Sequence, residues 1–206
     1  MPTGRSISRA LIVIALVMTA SRARADTLFT PFLGANLNSS PALSLNEIIG
    51  DPSRANFGVS IATMGGGVFG VEGDVGYAPR FFGTDINIGN VPISLAHNNV
   101  LTGMFNLTLG IPIQSHGGVG IRPYGVAGVG LIHQHVEAVG GAIDVSSTDF
   151  GYDVGGGVML FFGQHVGMRG DLRYIRTASD NPLSDLIALK QGAFNFTRAS
   201  VGLTLR

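Results

Sequence analysis

Apolar and polar residues alternate one by one along most of the chain after residue 25, and this alternation restricts the fold more than any other feature. Successive side chains of a β-strand point to opposite faces of a sheet, so a period of two predicts strands with one apolar face. No stretch after residue 25 approaches the roughly 18 uncharged apolar residues of a membrane-spanning helix. The sequence therefore predicts an all-β protein.

The alternation falls into eight stretches, which we interpret as eight antiparallel strands. Connections between them alternate in length: those at 65–67, 112–118 and 163–165 are short, and the others are long. This rhythm is typical of an up-and-down barrel with short turns on its periplasmic side, which predicts that both termini lie there. The predicted strands cover residues 27–37, 55–65, 67–81, 98–111, 119–133, 149–162, 165–176 and 194–206, and the long loops cover 38–54, 82–97, 134–148 and 177–193.

The first 25 residues have the pattern of a cleavable signal peptide. Arg5 and Arg9 precede a short apolar run over 10–18, and Ala23-Arg24-Ala25 has the small-x-small form of a cleavage site. We therefore predict a signal peptide over 1–25 and one barrel domain over 26–206. Cleavage would remove four of the 13 basic residues and none of the 13 acidic ones.

Composition excludes several classes of function. The chain contains no cysteine, which rules out disulfides and thiolate metal sites. Only 13% of its residues are charged and the formal net charge is zero, so nothing indicates a nucleic-acid partner. Low charge together with 31 glycines suits a strand-rich protein that meets something other than water on part of its surface.

Alternation alone does not say which face of the strands points inward. A soluble barrel has an apolar interior, whereas a membrane barrel has an apolar exterior. Long apolar faces that carry almost no charge, the signal peptide, and aromatic residues near the predicted strand ends favour the membrane barrel. We interpret these aromatic residues as an interfacial girdle: Phe29, Tyr77, Phe81, Tyr124, Tyr152, Phe161, Phe162, Tyr174, Phe194 and Phe196.

Charged residues share the opposite face and are predicted to point into the lumen. An eight-stranded barrel is only wide enough for side chains to fill it, so we expect an ion-pair network with a structural, plugging role. The rival interpretation is the selectivity lining of a narrow pore. Arg122 is a further candidate whose strand has an ambiguous phase. The predicted network comprises Glu72, Asp74, Asp153, Arg169, Asp171, Arg173 and Arg198.

Four stretches resemble the superfamily of small outer-membrane β-barrels that includes OmpA-type, OmpX/Ail-type, OmpW-type and opacity proteins. They are GVEGDVGY at 70–77, RPYGVAGVG at 122–130, GMRGDLRY at 167–174 and the last strand at 198–206. The resemblance implies an eight-stranded transmembrane barrel in the outer membrane of a Gram-negative-type bacterium, surrounded by lipid and inserted through recognition of its last strand. Family members usually end in an aromatic residue, whereas this sequence ends at Arg206.

The sequence contains no catalytic pattern that these barrels use. Lipid A deacylase barrels carry a His-x-Ser pair, and none of the five histidines has a serine two positions later. His133, His135 and Glu137 share one face and could bind a transition metal, but a polar rim is the simpler interpretation. We therefore expect no enzyme activity, cofactor or metal.

The expected function is a structural or surface-interaction role, as an adhesin or surface antigen that meets an extracellular ligand through its long loops. Within them, the apolar segments 43–49 and 183–190 could touch a partner or lipid headgroups. One alternative is a narrow OmpW-type channel for small or apolar solutes. A second alternative is a soluble periplasmic β-barrel that binds a ligand.

Overall fold

Ten β-strands make up nearly all of the chain that the computed structural model describes, which is residues 26–37, 55–65, 68–82, 85–88, 91–114, 119–138, 144–178 and 194–206. The strands are β1 (Asp26–Leu37), β2 (Ala55–Gly65), β3 (Phe69–Pro79), β4 (Asp85–Ile88), β5 (Val91–Gly110), β6 (Ile113–Gln114), β7 (Val119–Ala138), β8 (Asp144–Phe162), β9 (Val166–Thr177) and β10 (Asn195–Leu205).

Eight of these strands close into a barrel. Each long strand pairs antiparallel with the next long strand along the chain, and β5 pairs with β7 across the short β6. The last strand, β10, returns to pair with β1, so the ring has no open edge. The predicted fold class, an eight-stranded up-and-down barrel, is confirmed. We call the end that holds Asp26 and the short turns the turn end, and the opposite end the loop end.

At the turn end the predicted strand boundaries agree with the structure to within two residues, but three strands are longer than predicted at the loop end. β5 begins at Val91, β7 runs to Ala138 and β8 begins at Asp144. The predicted loops at 82–97 and 134–148 are therefore largely strand, which corrects the sequence-based boundaries. In the β7–β8 extension one face is wholly polar and the other mixes Gln134 and Ser147 with Val136 and Val145, so the apolar alternation there is too short to mark a half-buried strand.

Several predicted features lie outside the described residues: the signal peptide at 1–25, the loop at 38–54 with its apolar segment 43–49, and nearly all of the loop at 177–193 with its apolar segment 183–190. They remain predictions. Among the residues that the structure does describe, no helix has the length and hydropathy needed to cross a membrane.

The outer wall of the barrel is apolar and the inner wall carries the polar groups. Leu33, Phe69 and Leu107 leave 69%, 71% and 66% of their surface exposed, whereas Glu72 and Arg173 are 1% exposed. Soluble monomers rarely expose a contiguous apolar patch larger than roughly 600 Å². Apolar side chains project outward around the whole ring, so this wall suits contact with lipid rather than water.

Inside the barrel, two apolar layers lie above and below a charged layer. The turn-end apolar layer includes Met64 and Phe161, and the loop-end apolar layer includes Phe81, Phe194 and Phe196. Rings of the loop-end layer meet edge-on or tilted, with centroids 5.0–5.6 Å apart. Aromatic residues in these two layers point inward, which corrects their assignment to the interfacial girdle.

Five of the ten predicted girdle aromatics point inward: Phe81, Tyr124, Phe161, Phe194 and Phe196. Phe29, Tyr152 and Phe162 do project outward. Nearness to a strand end does not determine whether an aromatic side chain points outward or inward.

Candidate functional site

The lumenal cluster is organised around Arg173 on β9. Its guanidinium donates to Glu72 Oε1 at 2.5 Å and, through Nε, to Asp171 Oδ1 at 2.8 Å. The same group lies 3.4 Å from Asp153 Oδ2 and 3.8 Å from Asp74 Oδ2. Arg173 therefore contacts all four acidic members of the predicted network, as its planar fork of five N–H donors allows.

Arg169 precedes Arg173 on the same face of β9, with Asp171 between them on that face, and makes the second set of contacts. Its Nη1 lies 2.7 Å from Glu72 Oε2 and donates to Ser60 Oγ at 3.1 Å. Its Nη2 donates to Asp171 Oδ2 at 2.7 Å. Glu72 thus bridges the two arginines, one carboxylate oxygen to each, and this holds two like charges close together.

Arg198 on β10 joins the cluster through Asp74 on β3. Its Nη2 donates to both oxygens of the Asp74 carboxylate at 2.9 Å, and its guanidinium stacks over the Phe32 ring at 4.6 Å. Gly76 lies beside it: a Cβ there would be 2.6 Å from Arg198 Nη1. The missing side chain at Gly76 therefore makes room for the arginine.

Tyr124 on β7 belongs to this cluster, although the sequence analysis assigned it to the girdle. Its hydroxyl accepts from Arg169 Nε at 2.7 Å and donates to Asp171 Oδ2. Arg169 also stacks over the Tyr124 ring at 4.7 Å. Gly157 makes room for the hydroxyl, because a Cβ there would lie 2.7 Å from it.

Asn106 on β5 lies between the acidic and basic groups. With its amide nitrogen turned towards Asp153, it donates to Asp153 Oδ1 at 2.7 Å, and its oxygen accepts from Arg173 Nη1 at 2.7 Å. Gly128 on the neighbouring strand faces it, and a Cβ there would lie 1.8 Å from the side-chain amide of Asn106. Neither Tyr124 nor Asn106 carries a charge, so the pattern of charged residues does not predict that either belongs to the cluster.

All seven residues of the predicted network lie inside the barrel, and their contacts join them into one cluster, which we call the charged layer. It holds four carboxylates and three guanidiniums. A cavity of about 10 Å³ remains beside Arg169, Arg173 and Arg198, room for roughly one water molecule. Whether the cluster acts as a structural plug remains a prediction.

Arg122, the residue of ambiguous phase, also points inward but lies apart from the charged layer. It lies in the turn-end apolar layer, where its Nη1 lies 3.4 Å from Met64 Sδ and its guanidinium is 5.4 Å from the Phe161 ring. Arg206 is at the same distance from that ring and forms an ion pair with Asp26. These contacts link the first and last strands at the turn end.

The loop-end parts of β5, β7 and β8 extend beyond the barrel as a protruding sheet, to which β4 adds a fourth strand. These three strands have 20, 20 and 19 residues, against 11 or 12 in the other five strands of the ring. Their outermost β7–β8 pair joins Glu137 to Asp144. Eight extra residues extend a strand by roughly 25 Å.

The candidate metal-binding face lies on this protruding sheet. His133 Nδ1 is 2.8 Å from Thr148 Oγ1 on β8, so one imidazole faces a hydroxyl. The described part of the chain contains no group of three or more His, Asp, Glu or Cys residues arranged to hold a metal ion. His133, His135 and Glu137 are thus on one strand, as predicted, without forming such a group.

One family matches nearly the whole chain: the outer membrane protein beta-barrel domain, over residues 10–206. The chain belongs to this family. The resemblance inferred from the sequence motifs is therefore confirmed. No curated protein matches the sequence significantly.

Solved structures share the same fold. The N-terminal β-barrel domain of OprF from Pseudomonas aeruginosa is 13% identical with a TM-score of 0.51, and the match covers 88% of this chain and 98% of that one. A major outer membrane protein from Thermus thermophilus is 12% identical with a TM-score of 0.52, covering 87% and 99%. At these identities the likeness shows the fold alone.

The protein is therefore an outer-membrane β-barrel, and its apolar wall faces membrane lipid. The predicted localisation is confirmed. The alternative of a soluble periplasmic barrel was wrong, because the family and the exposed apolar wall both require the membrane.

Proposed function

We propose that this protein is a non-conducting, non-catalytic barrel that acts at the cell surface through its loop end. One observation carries the first part: the charged layer is enclosed between two apolar layers. The barrel is a membrane anchor in this proposal, and its lumen is closed by its own side chains. The proposal follows the structural interpretation of the network rather than the pore interpretation.

The side chains that fill the lumen support the proposal that the barrel does not conduct ions. An ion crossing it would meet apolar layers rich in Phe and Met on both sides of the charged layer, where it would lose its hydration. In the charged layer, the arginines already neutralise most of the carboxylate charge at distances of 2.5–3.8 Å. A permeating ion would have to displace these pairs.

Planar-bilayer recording tests this proposal directly. We expect the refolded barrel to insert without unitary current steps, while protease protection in the same membranes shows that it has inserted. Clear and reproducible steps would contradict the closed lumen and favour the narrow OmpW-type channel.

The protruding sheet supports a role in surface interaction. Short turns of outer-membrane barrels lie on the periplasmic side, so the loop end and its protruding sheet would face outwards. Ser146 and Thr148 lie on its β8 strand, and neither side chain is fully buried.

The chain contains no cysteine, so Ser146→Cys introduces a single thiol. We expect a membrane-impermeant maleimide to label this variant on intact cells; Thr204→Cys, buried near the turn end, is the matched control that stays unlabelled.

A shortened hairpin tests whether this sheet binds a partner. Removing residues 136–137 together with 144–145 preserves the β7–β8 alternation and leaves His135 paired with Ser146. We expect the variant to fold and to reach the outer membrane. Expressing cells should then be retained less well on serum-coated glass. Equal retention of both proteins would contradict an adhesive role for this sheet.

We further propose that β10 is the element that the insertion machinery recognises. Val201, Leu203 and Leu205 project outward at every second position and keep the apolar rhythm of such a signal. Leu203→Asn/Leu205→Asn should therefore lower the yield of folded barrel in the outer membrane more than Val71→Asn/Val75→Asn, which makes the same change at similarly exposed outward positions of β3. Equal losses for the two variants would contradict the proposal.

A further inference from the structure

An apolar groove of about 520 Å³ runs along the outer wall where β10 meets β1. Its size lies within the roughly 300–1,000 Å³ of small-molecule pockets. Outward-pointing side chains form its sides, among them Leu33, Phe57, Met168 and Leu203. Gly58 and Gly202 contribute only backbone to the wall between them.

The groove coincides with an interruption in the β1–β10 ladder. Within the described strands, pairing joins Phe29 to Leu205, skips Thr30 and Pro31, and resumes at Phe32 with Gly202. Proline has no N–H to donate to a neighbouring strand. The Thr30 and Thr204 hydroxyls, 3.0 Å apart, connect the strands at this level instead.

Backbone atoms rather than mobile side chains shape the floor of the groove. Gly58 and Gly202 lie on the inward phase of their strands, where a Cβ would meet Phe32 Cζ at 2.6 Å and Phe32 Cβ at 3.1 Å. No side chain at these two positions projects outward, so the wall between the flanking apolar side chains is backbone.

The occupant of the groove follows from its surroundings. The groove is continuous with the lipid-facing wall, and an empty groove would forfeit dispersion contacts along its sides. Water would find few polar partners there. A second copy whose two-fold axis passes through the groove would present the same concave surface there and leave the space unfilled.

We infer that this groove binds the hydrocarbon chain of a membrane lipid and holds it longer than the rest of the wall holds its lipid neighbours. Leu33 and Phe57 would flank the chain on one side, and Leu203 and Met168 on the other. Because the groove is on the outer wall, this inference does not depend on whether the lumen conducts.

Photo-crosslinking tests the inference. The purified barrel is placed in vesicles of phosphatidylethanolamine and phosphatidylglycerol that contain a phosphatidylethanolamine with a diazirine on its acyl chain, and adducts are mapped by peptide mass spectrometry. We expect several-fold more adduct per exposed residue at 31–33, 57–58 and 201–203 than at Phe105, Leu107 and Leu109. Those three controls are similarly exposed on the opposite wall.

Two variants sharpen the test. Val201→Trp fills the groove and should remove the enrichment, whereas Leu107→Trp adds the same side chain elsewhere and should leave it unchanged. Leu33→Ala, which makes one side shallower, should lower the enrichment without adding bulk. The chain has no other tryptophan, so fluorescence verifies the folding of both tryptophan variants.

Two results would overturn the inference. Adducts that follow exposure around the whole wall, unaffected by Val201→Trp, would show that the groove holds lipid no longer than its surroundings. Protein–protein crosslinks through the groove, with no lipid adducts there, would assign it to a second copy of the chain.

Discussion

The two walls of this barrel use the same strands in opposite ways. On β9, Met168 and Leu172 project into lipid while Arg169 and Arg173, one residue away, hold the charged layer together. An outward residue needs only to be apolar, because lipid adapts to its shape. An inward residue must match the positions of particular partners, because the described lumenal side chains are mostly buried and packed against one another. Substitutions should therefore have far larger effects on the inner wall.

Arg173 offers the largest expected effect. Arg173→Leu leaves four carboxylates with two arginines, and removing one partner of a buried ion pair costs about 3–5 kcal/mol. Urea unfolding in lipid vesicles should show a loss of this size. Arg173→Lys keeps the charge but not the planar fork, so it should lose less. If Arg173→Leu lost less unfolding free energy than an outer-wall substitution, the inner wall would not be the more sensitive of the two walls.

Arg198 and Asp74 allow a measurement of their pairing itself. Each single variant, Arg198→Met or Asp74→Asn, leaves the other residue buried without this partner, whereas the double variant removes the whole pair. Residues in contact show coupling free energies of about 0.5–3 kcal/mol in a double-mutant cycle. We expect the double variant to lose less stability than the sum of the singles. Simple additivity would mean that the contact contributes nothing.

Glycines on the two walls give a matched pair of smaller effects. Gly128→Ala would place a methyl group against Asn106, and overpacking of this kind costs about 1–3 kcal/mol. Gly73→Ala points outward, where nothing lies within 4 Å, and should change the unfolding free energy little or raise it slightly. Equal effects at both positions would contradict the tight packing of the lumen.

The smallest effect is expected on the outer wall away from the groove. Phe105→Leu exchanges one apolar side chain for another in contact with lipid, and we expect a change in unfolding free energy of less than about 1 kcal/mol. The same vesicle unfolding assay measures it. A loss comparable to that of Arg173→Leu would mean that the outer wall is as specific as the lumen.

The sequence predicts the barrel well, because most strands that cross the membrane separate apolar from polar residues. On β3, Val71 and Val75 alternate with Glu72 and Asp74, so the alternation alone assigns the charged residues to one face. Alternation does not report how far a side chain reaches across the lumen. The specific pairing of Arg173 with Glu72, 101 positions earlier, depends on closure of the ring.

Three features escaped prediction for physical reasons. Small residues lie on both faces of β7, Gly125 and Ala127 outward and Gly128 and Gly130 inward, so the phase of Arg122 was ambiguous. Phe81 and Phe194 lie just outside strands, where alternation gives no face. In the protruding sheet apolar residues alternate only over short stretches, such as Val91, Ile93 and Leu95 on β5, and the polar residues at 97–99 interrupt the pattern before the strand joins the barrel.

The central claim is that the charged layer holds the closed lumen together. The most direct test is a heat-shift gel of Arg169→Leu/Arg173→Leu, which removes both arginines of β9 while keeping similar bulk. We predict that the unheated variant loses the fast-migrating folded band in detergent, while Met168→Leu/Leu172→Met, on the opposite face of the same strand, keeps it. An unchanged folded band for the double arginine variant would contradict the claim.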